Sequence, residues 1–374
     1  MILKFTLQIL AALAFPGISQ QVPPSYPHTN HGEQWHLPSL GIAAAQEISQ
    51  GDGVIVAVPD SGVSLHPDLQ GSVLAGIDVI TGGGDGRADK DGHGTGMAGL
   101  IAAHGTGTDG AIGIAPKAKI LPILCSPAGQ DGETDTLAAA IEFAVNNRAD
   151  VISISIVGGA SVRLQRAIEM ALAADVLVIA AAGNTPRSNV VGYPARHPGV
   201  VAVGGIDRSG SHAAVSVTGP EIDVVAPAVD IYSTSINGTY RRGTGTSDAA
   251  AIVAGAAALI RSKYPYLPAQ EVAHRLTATA IDKGPPGRDD EYGYGVIDLV
   301  AALTADVPPL GFESVSAPAG GGPTTAADAR PDEDDGSAVR GLATLGVIVA
   351  VGVGWAVVAR RRRRGDDPPP RISR

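Results

Sequence analysis

The stretch VIVAVPDSGV, residues 54–63, decides the fold. Its apolar residues run from Val54 to Val58 without polar alternation, which reads as a strand buried on both faces, and Asp60 stands where that strand ends. Working outward, similar runs recur at Ile120–Leu124, Val151–Ile156, Val176–Ala181 and Val200–Gly205. The segments between them, Thr95–Ala103, Thr134–Asn147 and Val162–Ala174, carry helical periodicity, and further helices are expected at about Asp248–Lys263 and Pro268–Ala280. Strand and helix alternating in this way predict an α/β body, a mostly parallel sheet with helices on both faces. The glycine-rich turns Gly82–Gly86 and Gly105–Gly110 read as surface loops, and there is no internal repeat.

Composition agrees with a large core and excludes several classes. In 374 residues, 44% are hydrophobic and 17% charged, which rules out global disorder. A net charge of -10 and a pI near 5.3 exclude the basic face of a nucleic-acid partner. The single cysteine excludes an intramolecular disulfide framework.

The charge is segregated along the chain. Residues 1–19 read as a secretory signal, with Lys4 ahead of the apolar run Phe5–Phe15 and small residues Gly17 and Ser19 before Gln20. Residues 20–50 form an N-terminal extension in which Pro23, Pro24 and Pro27 suggest extended chain along the body, residues 51–307. Residues 308–340, rich in Pro, Gly, Ala and acids, lack the apolar content to fold and read as a solvated tether. Then comes GLATLGVIVAVGVGWAVVA, residues 341–359, uncharged and long enough to span a bilayer as one transmembrane helix. Arg360–Arg364 follow at once in the basic tail 360–374. By the positive-inside rule that end is cytoplasmic and residues 20–340 lie outside the cell membrane.

Three short motifs carry chemistry, each where a parallel sheet exposes strand ends and helix starts. Asp60 closes VIVAVPDSGV, His93 lies in DGHGTGMAGLIAA (91–103), and Ser247 lies in GTGTSDAAAIVAG (243–255). A hydroxyl is a poor nucleophile at neutral pH and needs a base within hydrogen-bond reach. An imidazole in that role needs a carboxylate to fix its tautomer and stabilise its charged form. An aspartate at a strand end, or a serine at a helix start, is by itself usually a cap; the three together fill three complementary roles. His104 shares a His-Gly-Thr triplet with His93 but follows the helix and reads as a helix-end residue. His28, His31 and His36 match no metal spacing and read as surface, and Cys125, after an apolar strand, as a small buried hydrophobe. Asn237-Gly-Thr matches a glycosylation sequon. No motif calls for a cofactor or a metal.

The order Asp, His, Ser, the three motifs and the sheet pattern over about residues 35–305 resemble the subtilisin-like serine peptidases. The resemblance implies a three-layer subtilisin-like fold and hydrolysis of peptide bonds through an acyl-enzyme. It implies an oxyanion-hole amide at Asn184, which ends VIAAAGN (178–184). It also implies a substrate-binding strand in ADVISISIVGG (149–159), on which an extended peptide adds as a further strand. Ser155, Ile156, Val157, Gly158 and Gly159 would line one side of the specificity pocket, and Ala180–Gly183, with Ala182 and Gly183 at its end, the other. Small uncharged residues there imply a small or apolar P1 side chain. Signal, span and tail resemble the mycosins, which implies a protein or peptide substrate and membrane components of type VII secretion as partners. A structural role in such an assembly, with proteolysis weak or dispensable, is the alternative.

Some positions depart from that pattern. Asp248 stands beside Ser247 where the family usually has an uncharged residue, and is expected either to slow acylation by opposing the oxyanion or to favour a basic residue on the leaving side. Ala251 replaces a usual proline, and Pro59 removes a backbone donor just before Asp60. The residues between the signal and Gly51 are too few for the folded inhibitory prodomain common among subtilases.

Overall fold

The structure is a computed structural model and describes residues 33–311 apart from 127–132. The strands are β1 (Ile55–Asp60), β2 (Ile77–Asp78), β3 (Lys119–Leu124), β4 (Val151–Ile154), β5 (Leu177–Ala181), β6 (Val201–Ile206) and β7 (Val224–Pro227), followed by β8 (Ile231–Thr234) and β9 (Tyr240–Gly243). The first seven form one sheet in the order β2-β3-β1-β4-β5-β6-β7, every pairing parallel. β8 and β9 make a separate antiparallel hairpin. The helices are α1 (His36–Ser39), α2 (Ile42–Ile48), α3 (His93–Ala102), α4 (Thr134–Asn146), α5 (Val162–Ala173), α6 (Thr246–Lys263), α7 (Ala269–Ala278) and α8 (Leu299–Thr304).

Alternate residues of each central strand face opposite layers. Val56 and Val58 of β1, with Ile179 and Ala181 of β5, join one core with α3, α6 and α7. Ala57, Val178 and Ala180 point the other way, onto α4 and α5. The sheet is therefore buried on both sides, as its unbroken apolar strands require. The position of β1 matters most for function. β3 lies on one side of it and β4 on the other, so the chain leaves the carboxyl ends of neighbouring strands in diverging directions. That divergence opens a crevice at the switch point, where open α/β sheets bind ligands, and Asp60 is the last residue of β1.

The helix that carries Ser247 runs through this core. Its run of Ala, Gly, Ile and Val leaves no polar face, and residues from Ala249 to Ile260 are buried. Small side chains let it pack across β4, β5, β6 and β7 and against α3. Asp248 in the first turn and Arg261 and Lys263 in the last suit the helix dipole. Arg261 also anchors the far end, Nη1 lying 3.1 Å from Asp175 Oδ2.

Strands and helices expected from periodicity occur within a few residues of their expected limits. The structure differs elsewhere. Residues 36–48, expected as part of an extended segment, form α1 and α2, and Trp35, Leu37, Leu40, Ile42 and Ala45 join the core, with Trp35 Nε1 donating to Val229 O at 3.0 Å. His36 is corrected with them. It is 1% exposed rather than at the surface, and burial pulls its imidazole down to about 3. Gly86 is likewise buried although its neighbours Gly82–Asp85 are exposed. Pro59 is tolerated because β4 pairs with β1 only through Val56 and Ala57, so the open side needs no donor there. The signal, the tether from residue 312 onward, the membrane span and the basic tail, with His28 and His31, lie outside the described residues. Among the described residues, no helix is long and apolar enough to cross a membrane.

Candidate active site

At the carboxyl end of β1, Asp60 is 3% exposed, and its Oδ1 accepts two hydrogen bonds of 2.7 Å, from Ser61 N and from His93 Nδ1. His93 opens α3, whose first turn must come close to the strand end to reach it. Gly94 permits this, because a Cβ there would stand 2.2 Å from Gly62 O and 3.0 Å from Asp60 Cβ. The free N–H groups of that turn are taken by side chains, His93 N donating to Asp91 Oδ1 at 2.7 Å and Gly94 N to Ser61 Oγ at 3.0 Å.

Asp89, which sequence reasoning missed, braces the two motifs. Its Oδ1 accepts from Ser61 Oγ (2.9 Å) and Gly92 N (3.0 Å), and its Oδ2 from Thr95 N (2.9 Å) and Thr95 Oγ1 (2.5 Å). One buried carboxylate thus ties the loop after β1 to the start of α3. The available signal was an acid two residues ahead of Asp91-Gly-His.

Ser247 is the second residue of α6 and partly exposed. Its Oγ donates to Ser155 O at 3.3 Å, and Ser155 Oγ donates to Ser247 O at 3.3 Å. Among the described residues no hydrogen bond joins Ser247 Oγ to His93. Nucleophile–base bonds are often long without substrate and tighten when it binds. Asn184 sits against the turn before the nucleophile. Its Oδ1 accepts from Thr246 N (2.9 Å) and Thr246 Oγ1 (3.1 Å), which turns Nδ2 the other way, against Gly245.

The remaining expected positions flank this row. Ser155, Val157 and Gly158 are half-buried, Ile156 is buried and Gly159 exposed; Ala182 and Gly183 are buried. Gly158 N donates to Tyr193 O at 2.9 Å. Val157 narrows the space opposite, since a Cβ on Gly192 would meet its Cγ1 at 2.2 Å and one on Gly183 would lie 3.7–3.9 Å from Val217 and Val157 methyls. Cys125 is buried, donates its N–H to Asp60 O at 2.9 Å, and burial pushes its thiol well up. His104 follows α3 and contacts Gln70 O at 3.1 Å, apart from the triad. Among the described residues no group of three or more His, Cys, Asp or Glu side chains is arranged to hold a metal ion.

Charge around His93 is unusual. Burial pulls the imidazole down, but the Asp60 carboxylate, through charge and hydrogen bond, pulls it further up. Arg241 subtracts, Asp248 adds, and the imidazole stands at about 9. Asp248 itself is 2% exposed, and burial pushes its carboxyl up to about 6 against the opposing charges of Arg241 and His93. Its carboxylate lies against Gly243 while the Asn184 amide lies against Gly245. Asp248 is therefore walled off from substrate. Instead of a basic substrate residue on the leaving side, the cation that acts on it in the structure is the protein's own Arg241, through charge and without a direct ion pair.

A hydroxyl at a helix start, an imidazole bonded to a buried carboxylate and a fixed amide donor, grouped at the switch point of a parallel sheet, define a serine hydrolase of the α/β class. Comparison with known proteins makes this specific. The subtilase family, peptidase S8, matches residues 51–295, and the chain belongs to that family. It is 39% identical to subtilisin DY of Bacillus licheniformis over 258 residues, 68% of this chain and 92% of the relative. It is 36% identical to mycosin-1 of Mycobacterium tuberculosis over 383 residues, 87% of this chain and 84% of the relative. Among solved structures it is similar to a serine protease, MycP1, described as an essential component of the type VII (ESX-1) secretion system, with a TM-score of 0.66 and 34% identity over 75% of this chain and 91% of that one. The protein is a subtilisin-like serine endopeptidase related to the mycosins.

Proposed function

We propose that this endopeptidase works from the outer face of the cell membrane, held there by the segment 341–359, and cleaves protein or peptide substrates beside a type VII secretion assembly. The likeness to mycosin-1 and MycP1 supports the setting. The observation that carries the chemistry is the 2.7 Å bond from His93 Nδ1 to Asp60 Oδ1, made beside a serine at the mouth of α6.

In this reading a substrate peptide pairs along Ser155–Gly159, and its backbone N–H competes for the Ser155 carbonyl, releasing the Ser247 hydroxyl. His93 Nε2 takes the hydroxyl proton as Oγ attacks the scissile carbonyl carbon, and Asp60 stabilises the resulting imidazolium. Asn184 Nδ2 and the Ser247 N–H, one of the unpaired donors of the first helical turn, hold the oxyanion. Collapse of the tetrahedral species passes the proton to the leaving amine and leaves an acyl-enzyme, which water then hydrolyses with the same groups. Val157, facing Gly183 and Gly192, supports a small P1 side chain, so peptides with P1 alanine are cleaved ahead of those with P1 phenylalanine.

A fluorophosphonate probe, which reacts only with an activated serine, tests the assignment. Labelling that disappears in Ser247→Ala is expected; no labelling of the intact protein, or labelling that survives the substitution, overturns it. Secretion that persists with Ser247→Ala but stops on deletion of the whole chain would favour the structural role instead.

A further inference from the structure

Two residues that the catalytic scheme does not use occupy a built site behind His93. Arg241 and Gly243 lie two apart on β9 and so face the same side of the strand, while Arg242 between them faces out to Asp230 and Glu33. The space that a side chain at 243 would fill holds the Asp248 carboxylate instead, since a Cβ on Gly243 would come 2.5 Å from Oδ1 and 2.6 Å from Oδ2. Arg241 lies against α3, where a Cβ on Gly96 would come 2.8 Å from Nη1 and 2.9 Å from Cδ. Gly96 is three residues beyond His93, one helical turn along the same face. Two glycines on two different elements thus make room for one cation, packed one helical turn along from His93, and one anion, next to Ser247 in sequence.

Each of the two groups has one atom left without a direct partner. Asp248 Oδ1 and Arg241 Nη1 are buried and find no hydrogen-bond partner among the described residues, and Asp60 Oδ2, at the same cluster, finds none either. Where such atoms lack direct partners, opposite charges compensate one another through their field, and removing one member leaves the other uncompensated.

We propose that Arg241 and Asp248 are positioning residues, an opposite-charge couple behind the triad that sets how readily His93 accepts the Ser247 proton. This rests on the proposed role of His93 as the base. The charged groups that act on the imidazole are Asp60 on β1, Arg241 on β9 and Asp248 on α6. Of the other titratable groups nearby, Asp89 holds Ser61 Oγ, Asp91 holds the His93 backbone N–H, and Cys125 lies beside Asp60. Within that set Arg241 and Asp248 act with opposite signs on His93. The couple holds the base near the balance set by Asp60, so either partner alone unbalances it.

The test uses the purified full-length protein and follows fluorophosphonate labelling rate against pH in wild type, Asp248→Asn, Arg241→Met and the double variant. Asp248→Asn leaves an unbalanced cation and moves the acid limb to lower pH; Arg241→Met moves it to higher pH. Each shift is about 0.5–1 pH unit, or about three- to tenfold in rate at a pH on the limb. The double variant returns towards wild type, and Arg241→Lys, which keeps the charge, holds the limb in place. A limb unmoved by both single changes, or moved the same way by both, overturns the proposal. Should Asp248→Asn fail to fold, Asp248→Ser supplies the same comparison. The His93 ring N–H proton resonance, titrated in a Ser247→Ala background, reads the same shifts without any catalysis. If that titration moves as described while wild-type Ser247 is never labelled, the functional assignment falls and the couple stands. If labelling is intact and the titration does not move, the couple falls alone.

Discussion

His93 stands between two regions that each present it with a carboxylate. On the β1 side, Asp60 Oδ1 takes the Ser61 N–H and the His93 Nδ1–H at 2.7 Å each, and Asp89 behind it gathers donors from Ser61, Gly92 and Thr95. On the α6 side, Asp248 is as deeply buried, yet its Oδ1 has no hydrogen-bond donor among the described residues and its carboxyl is pushed up to about 6. The residue type is the same and the burial similar, so the difference lies in donors. A carboxylate hydrogen-bonded to the imidazole itself can orient it; one with no bond to the ring acts on it through its field.

Breaking the well-supplied side has the largest effect. Asp60→Asn keeps the shape but removes the acceptor that selects the imidazole tautomer, and kcat is expected to fall by about 10⁴, the loss seen for the equivalent change in the general serine-protease case. Steady-state kinetics with a peptide substrate checks it, and a loss under tenfold would show that Asp60 does not orient the base. Asp89→Asn comes next. Its amide would face the Thr95 N–H with a second donor, leaving a buried group unpaired at a cost of about 1–3 kcal/mol, read as a lower urea midpoint with unchanged slope.

The donor-poor side gives the smallest effect and the one most specific to its sign. The folded protein binds a proton at Asp248 more tightly than the unfolded chain, so this residue's contribution to stability is greatest below pH 3.8 and is lost as pH rises towards about 6. Asp248→Asn removes that slope, at most about 1.4 kcal/mol per pH unit. Parallel Tm–pH curves for the two proteins between pH 4 and 6 would show that Asp248 does not titrate there.

The well-supplied side was also the legible one. Asp60, His93, Ser247 and Asn184 each sit within two residues of a glycine at the edge of an apolar run, and that local pattern is visible in one dimension. The parallel order was legible for the same reason, since each buried strand is a continuous apolar run. Arg241 was not. In sequence it is one of two adjacent arginines, and only the pairing of β9 with β8 sends Arg241 inward and Arg242 outward. His36 was misread because its burial comes from packing of α1 rather than from its neighbours in sequence. β2, β7, β8 and β9 were missed: each is as short as β4 or shorter, and each carries or adjoins a charged residue or proline without the longer apolar-rich segment, Val151–Ile156, that marks β4.

The buried thiol at the end of β3 has a practical consequence. Cys125 is the chain's one cysteine, and it is sealed beneath the Asp60 backbone. A thiol reagent added to the native protein therefore has nothing to modify until that strand end opens, and its uptake clocks the opening of the ground on which the triad stands. The same silence makes the wild-type protein a ready background for spectroscopy. A cysteine placed anywhere on the surface becomes a unique handle, with no native residue to be removed first.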